Sequence, residues 1–125
     1  MARKLTRPPA GTLADPGKIS ENDFMRTIVE LATWSGWMVF HPLPAMYADG
    51  RWATPTMGAV GYPDLTLVHQ RRGLHVVAEL KVGKNVLTPG QSAWKAAFTA
   101  AGVDFRVWRP TDYQLEIVPL LTGAS

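Results

Sequence analysis

No cysteine occurs among the 125 residues, which excludes disulfides, thiolate metal sites and cysteine nucleophiles. No apolar run approaches the roughly 20 residues that span a bilayer, and the N-terminus lacks the apolar centre of a secretion signal. The expectation is a soluble, cytoplasmic protein with no membrane partner. Charge is sparse: charged residues make up 18% and the formal balance is +3. So small an excess permits a polyanionic partner without demanding one. No internal repeat is visible. What is plentiful is apolar surface, 46% of residues, enough for one folded domain with a single core and too little chain for two.

Met1 to Lys18 carries three prolines and two glycines with scattered Arg and Lys but no apolar period, the pattern of a loose basic arm. Ser20 is a good N-cap, and Phe24, Ile28 and Leu31 or Ala32 then recur at helical spacing until Gly36. Trp37 to His41 reads as a strand stopped by Pro42. From about Leu43 to Gly61 neither helical nor strand periodicity survives, and a connection of that length in a compact domain is usually functional or mobile. Its Tyr47, Arg51 and Trp52 are residue types that stack on bases and pair with phosphates, or that tuck aromatics into a core.

Asp64 to His69 and Leu74 to Leu80 are β-rich runs joined by Gln70-Arg71-Arg72-Gly73, hence a hairpin. Thr88-Pro89 opens a second helix whose stripe is Trp94, Ala97, Phe98 and Ala101, closed by Gly102. Val103 to Trp108 is a further strand, and a weak helical segment runs from Thr111 towards Leu121, interrupted by Pro119. The expected order is α-β-β-β-α-β with a terminal helix. The expected division is an arm over 1–18, a domain over 19–121 and a tail over 122–125.

The chemistry concentrates in the hairpin. A turn centred on Arg71-Arg72-Gly73 places Asp64 opposite Glu79 or its neighbour at the open end, and opposed Cβ atoms about 5 Å apart suit two carboxylates sharing one divalent cation. Strand alternation sets Glu79 and Lys81 on one face and turns Leu80 into the core. Oxygen ligands without histidine or cysteine favour Mg²⁺ or Mn²⁺ over Zn²⁺. Gln91 extends the apolar stripe of the second helix into its first turn, so its amide needs a partner, either at the acidic end of the hairpin through water or phosphate, or in supporting the helix start. His41, ending a strand beside Pro42, reads as a hydrogen-bonded structural histidine or as one facing the site or substrate, and His69 and His75, flanking the turn, as solvated. Lys84, Lys95, Arg106 and Arg109 are candidates to line a nucleic-acid path, and Trp34, Trp37, Trp94 and Trp108 read as core or dimer contacts.

Four stretches in this order, GYPDLTLV, VVAELK, LTPGQSAW and AGVDFRVWRP, resemble the VRR-NUC branch of the PD-(D/E)XK nuclease superfamily, in particular its small stand-alone, phage-type members. The resemblance covers about Ser20 to Leu121. It implies an α/β, restriction-endonuclease-like core with a mixed central sheet flanked by helices. It further implies Asp64, Glu79 and the Leu80 backbone carbonyl as metal ligands, Lys81 orienting or activating the attacking water, and Gln91 as the family's glutamine after the strand. The family's first-helix acid is matched by position by Glu21, with Glu30 a rival in the same helix. The implied activity is Mg²⁺- or Mn²⁺-dependent cleavage of DNA, structure-selective as in Holliday-junction resolvases, by a homodimer in a bacterial or phage-infected cell. Two alternatives stand beside it: a catalytically silent DNA-binding or assembly module, and a sequence-specific restriction-type endonuclease.

Overall fold

A computed structural model of the chain describes residues 13, 15–43, 45–46, 48–53 and 57–124. The first helix, α1 (Glu21–Trp34), begins where Ser20 accepts the backbone N–H of Asp23 through its hydroxyl oxygen. It buries Phe24, Ile28, Leu31 and Ala32, and a helix of this length draws its stability from such a stripe more than from propensity. Four strands build the main sheet: β1 (Met38–Phe40), β4 (Leu65–His69), β5 (Leu74–Leu80) and β6 (Asp104–Trp108), in the spatial order β1-β4-β5-β6. The first three are antiparallel neighbours. Between β5 and β6 the chain crosses through α2 (Pro89–Ala100), and the two strands pair in parallel, as a helical crossover requires.

The two faces of this sheet differ. Leu65 and Leu67 of β4 and Val76, Ala78 and Leu80 of β5 point into one core with α1, Trp37, Trp108, Tyr113, Ile117 and Leu121. On the other face lie Val77, Glu79 and Phe105, covered by α2, where Phe105 stacks on Phe98 with ring centroids 6.1 Å apart. Among the described residues no helix covers the half of that face formed by β1 and β4, and Met38, Phe40 and Val68 are exposed there.

Several expectations are corrected. The connection from 43 to 61 contains a small hairpin, β2 (Ala45–Met46) with β3 (Trp52–Ala53); pairs of two residues are too short to show a period. The C-terminal segment is a 3₁₀ turn (Pro110–Asp112), a π-helical turn (Tyr113–Ile117) and an α-helical turn, α3 (Val118–Thr122). Pro119 sits in the first turn of α3, where a proline removes no needed N–H, so it starts this element rather than weakening it. His69 is buried rather than solvated: its Nε2–H donates to the Ser35 carbonyl at 3.0 Å and its Nδ1 accepts the Arg72 N–H at 3.2 Å. Residues 1–12 and 14 of the expected arm, and Tyr47, lie outside the described residues. Leu13 and Ile19 pack against the core.

Candidate active site

The hairpin register pairs Leu65 with Ala78 and His69 with Leu74, so one step further Asp64 stands opposite Glu79. Asp64 is tied at two points. Its Oδ2 accepts the backbone N–H of Leu80 at 2.8 Å, so the side chain carries the ladder on past the last strand pair. Its backbone carbonyl accepts a hydrogen bond of 2.7 Å from His41 Nδ1. Because a carbonyl only accepts, that nitrogen carries the proton.

Glu79 is 2% exposed, on β5, one of the two inner strands of the sheet. Gln91 Nε2 donates to its Oε1 at 2.6 Å. The same amide's oxygen accepts the Thr88 N–H at 2.9 Å while Thr88 Oγ1 accepts the Gln91 N–H, a complete capping box at the start of α2. Gln91 thus supports the helix start and reaches the acid, and its reach is direct rather than through water or phosphate. Burial pushes the Glu79 carboxyl up to about 8, helped by the charge of Asp64 and by the hydrogen bond a protonated Glu79 shares with it, while Lys81 pulls the other way. As a carboxylate, Glu79 has Oε2 buried with no donor. Two opposed acids, one with an orphaned buried oxygen, are a donor set that a proton or a hard divalent cation completes.

A backbone contact holds the two halves of the site together. A Cβ on Gly61, whose φ is +92°, would meet the Gly90 carbonyl carbon at 2.5 Å and the Gln91 nitrogen at 2.6 Å. The loop before Asp64 therefore lies directly on the first turn of α2, and Trp94 clamps it by donating Nε1–H to the Val60 carbonyl at 3.1 Å. Lys81 follows Glu79 by two positions, partly buried, its N–H bonded to the Trp108 carbonyl at 3.0 Å.

No family model matches the chain, and no curated protein does. Among solved structures, one described as a VRR_NUC domain superposes with a TM-score of 0.55 at 21% identity, over 84% of this chain and 97% of that one. The fold is that of a VRR_NUC domain. In it the expected α/β core with a mixed four-stranded sheet flanked by helices is met, and its site end brings together Asp64, Glu79, Leu80, Lys81 and Gln91. Glu21 is exposed in the first turn of α1 and Glu30 lies further along that helix; among the described residues neither forms with Asp64 and Glu79 a group of three or more that could hold a metal. Arg51 and Trp52 sit on the small β2–β3 hairpin, Arg51 bonded to Asp49 at 3.1 Å and Trp52 64% exposed. Lys84 is exposed on the loop after β5, which Arg109 pins by donating to the Gly83 and Asn85 carbonyls, and Lys95 is exposed on α2. Arg106 is held by Asp104 at 2.7 Å and Glu116 at 3.7 Å. A hollow of about 760 Å³ at the turn end of the hairpin, lined by residues such as Trp34, His69 and Arg71, contains none of the site residues. The glycine contact and the fixing of Asp64 by His41 had no motif to announce them; Pro42, which deprives the strand end of an N–H, was the available sign. Among the described residues no helix is long and apolar enough to cross a membrane.

Proposed function

We propose that this chain is a divalent-metal-dependent DNA endonuclease, hydrolysing phosphodiester bonds in branched DNA such as Holliday junctions. The observation that carries the reading is the pair Asp64 and Glu79, opposed at a strand end, with a buried orphan oxygen on one and Lys81 two residues beyond it. Asp64, Glu79 and the Leu80 carbonyl would hold Mg²⁺ or Mn²⁺, and Glu21, which among the described residues forms no group with the two acids, is left out of that set. The ion when bound would supply a lowered pKa for water and neutralisation of charge on the phosphoryl oxygens. Gln91 holds the Glu79 carboxylate through Oε1 and leaves Oε2 without a donor, so that this oxygen would be available to an ion. Lys81 would add a positive charge beside the attacking water and orient it, and the family resemblance implies in-line attack that would leave a 5′-phosphate and a 3′-hydroxyl. The fold likeness and the four sequence motifs support the class of reaction. They leave the substrate to experiment.

Wild type, Asp64→Ala and Lys81→Ala are to be incubated with a Holliday junction, a flap, a splayed arm, single-stranded DNA and supercoiled plasmid, with and without Mg²⁺ or Mn²⁺. Cleavage by wild type that needs the ion and is lost in both variants, with binding retained, is expected. Full activity in either variant overturns the assignment, and junction binding indifferent to the ion without any nicking makes the chain a binding module. A homodimer would offer two sites to two strands, and the uncovered apolar half of the sheet at Met38, Phe40 and Val68 supports it. Light scattering on the purified chain tests that point, with a dimer mass expected.

A further inference from the structure

Extending the β1–β4 register by two residues beyond the pair Phe40 and Thr66 places Pro42 opposite Asp64. Proline has no N–H to give. The Asp64 carbonyl nevertheless has a donor, the Nδ1–H of His41 at 2.7 Å, on a side chain that is only partly exposed. The bond fixes the peptide plane that follows Asp64, at the point where the chain turns into β4. With the carbonyl held by His41, the residue that follows β1, and Oδ2 held by the Leu80 N–H of β5, this residue is anchored to the chain on both sides. Its carboxylate is thereby presented to Glu79 in one orientation.

We propose that His41 is a positioning residue for the metal site: by donating Nδ1–H to the Asp64 carbonyl it orients the Asp64 carboxylate for a divalent cation. The inference rests on the metal-site reading given above. Groups that hold a ligand in place commonly contribute about 10-fold or more to metal affinity, although they never touch the ion. Asparagine carries its amide N–H near the position of the imidazole Nδ1 and can make the same bond, whereas phenylalanine keeps the ring and loses the donor.

The test is Mn²⁺ binding to the full chain, followed by calorimetry and by water-proton relaxation, in wild type, His41→Phe, His41→Asn and Asp64→Ala, with urea unfolding of each in chelator. His41→Phe is expected to weaken Mn²⁺ binding about 10-fold and to raise the Mn²⁺ concentration for half-maximal cleavage by the same factor, and His41→Asn to recover to within about 3-fold of wild type. An unchanged affinity in folded His41→Phe, or an asparagine variant as weak as the phenylalanine one, overturns the role. If His41→Phe does not fold, ¹⁵N spectra of the wild-type imidazole decide: a neutral ring protonated on Nδ1 supports the bond, and one protonated on Nε2 overturns it. Asp64→Ala keeps the two levels apart. If it binds Mn²⁺ like wild type, the metal-site reading itself fails; if it loses binding while His41→Phe does not, only the role of His41 fails.

Discussion

Gln91 does two jobs with one amide, and the two can be separated by substitution. Its oxygen closes the capping box of α2 and its nitrogen holds Glu79. Gln91→Ala removes both while the Thr88 hydroxyl still caps the backbone N–H of residue 91, and the lost half of the box, one hydrogen bond, costs about 1 kcal/mol. Gln91→Glu keeps an acceptor for the Thr88 N–H, which is the usual form of the box, but replaces the donor at Glu79 with a third carboxyl. At neutral pH the glutamate variant is expected to retain the cap and still lose cleavage more severely than alanine, since a like charge is added beside Asp64 and Glu79. Urea unfolding together with single-turnover cleavage rates checks this, and a glutamate variant as active as wild type contradicts it. The sequence made Gln91 visible because a polar side chain on an apolar stripe needs a partner. It left the partner undecided, since the distance between a helix start and a strand end depends on how α2 lies on the sheet.

At the scale of elements, legibility followed the strength of local constraint. The β4–β5 hairpin was readable to within one residue, because a tight turn bounds the register and left Asp64 facing Glu79 or its neighbour; the structure settles on Glu79, and a slip of one would turn Glu79 into the core and Leu80 out. The β2–β3 hairpin was not, since its short strands at Met46 and Trp52 carry exposed side chains and no buried face imposes a pattern. His69 was misread for a related reason. Its burial depends on Trp37, just before β1 and far away in sequence, whose ring meets it edge-on at 5.3 Å. The packing of α2 was hidden too, because it hangs on Gly61 and Gly90, and glycine in a sequence reads first as a turn. That contact gives a prediction at its own scale. Gly61→Ala would force a Cβ to within 2.5 Å of backbone at a φ of +92°, while Gly73, at φ +65°, has open space around it. Gly73→Ala is expected to cost about 1 kcal/mol for the conformation alone. Gly61→Ala is expected to cost distinctly more, about 3 kcal/mol, and to lower cleavage by lifting the first turn of α2, with Gln91, off the acids. Equal unfolding free energies for the two variants would contradict that arrangement.

Over the whole molecule, the price of placing a carboxyl at the centre of the sheet should be measurable as a pH dependence of folding. Glu79 has an ordinary value of 4.5, which the unfolded chain keeps, and is pushed up to about 8 by burial and by Asp64 when folded. Below the lower value both states hold the proton and no penalty arises. Between the two the folded chain holds a proton that the unfolded chain has released, so stability falls as pH rises through this window, and above about 8 the loss is complete. Its size is on the order of a few kcal/mol, a large share of the roughly 5–15 kcal/mol that holds a domain together. Urea unfolding in chelator across pH 5 to 8 is therefore expected to show declining stability in wild type and a much flatter profile in Glu79→Gln. A divalent cation competes with that proton and binds the folded state, so Mn²⁺ added at pH 8 should restore stability to wild type and do little for Glu79→Gln. A wild-type profile as flat as that of the glutamine variant would mean that Glu79 is solvated in the ion-free protein, and Mn²⁺ stabilising both proteins equally would place the cation elsewhere.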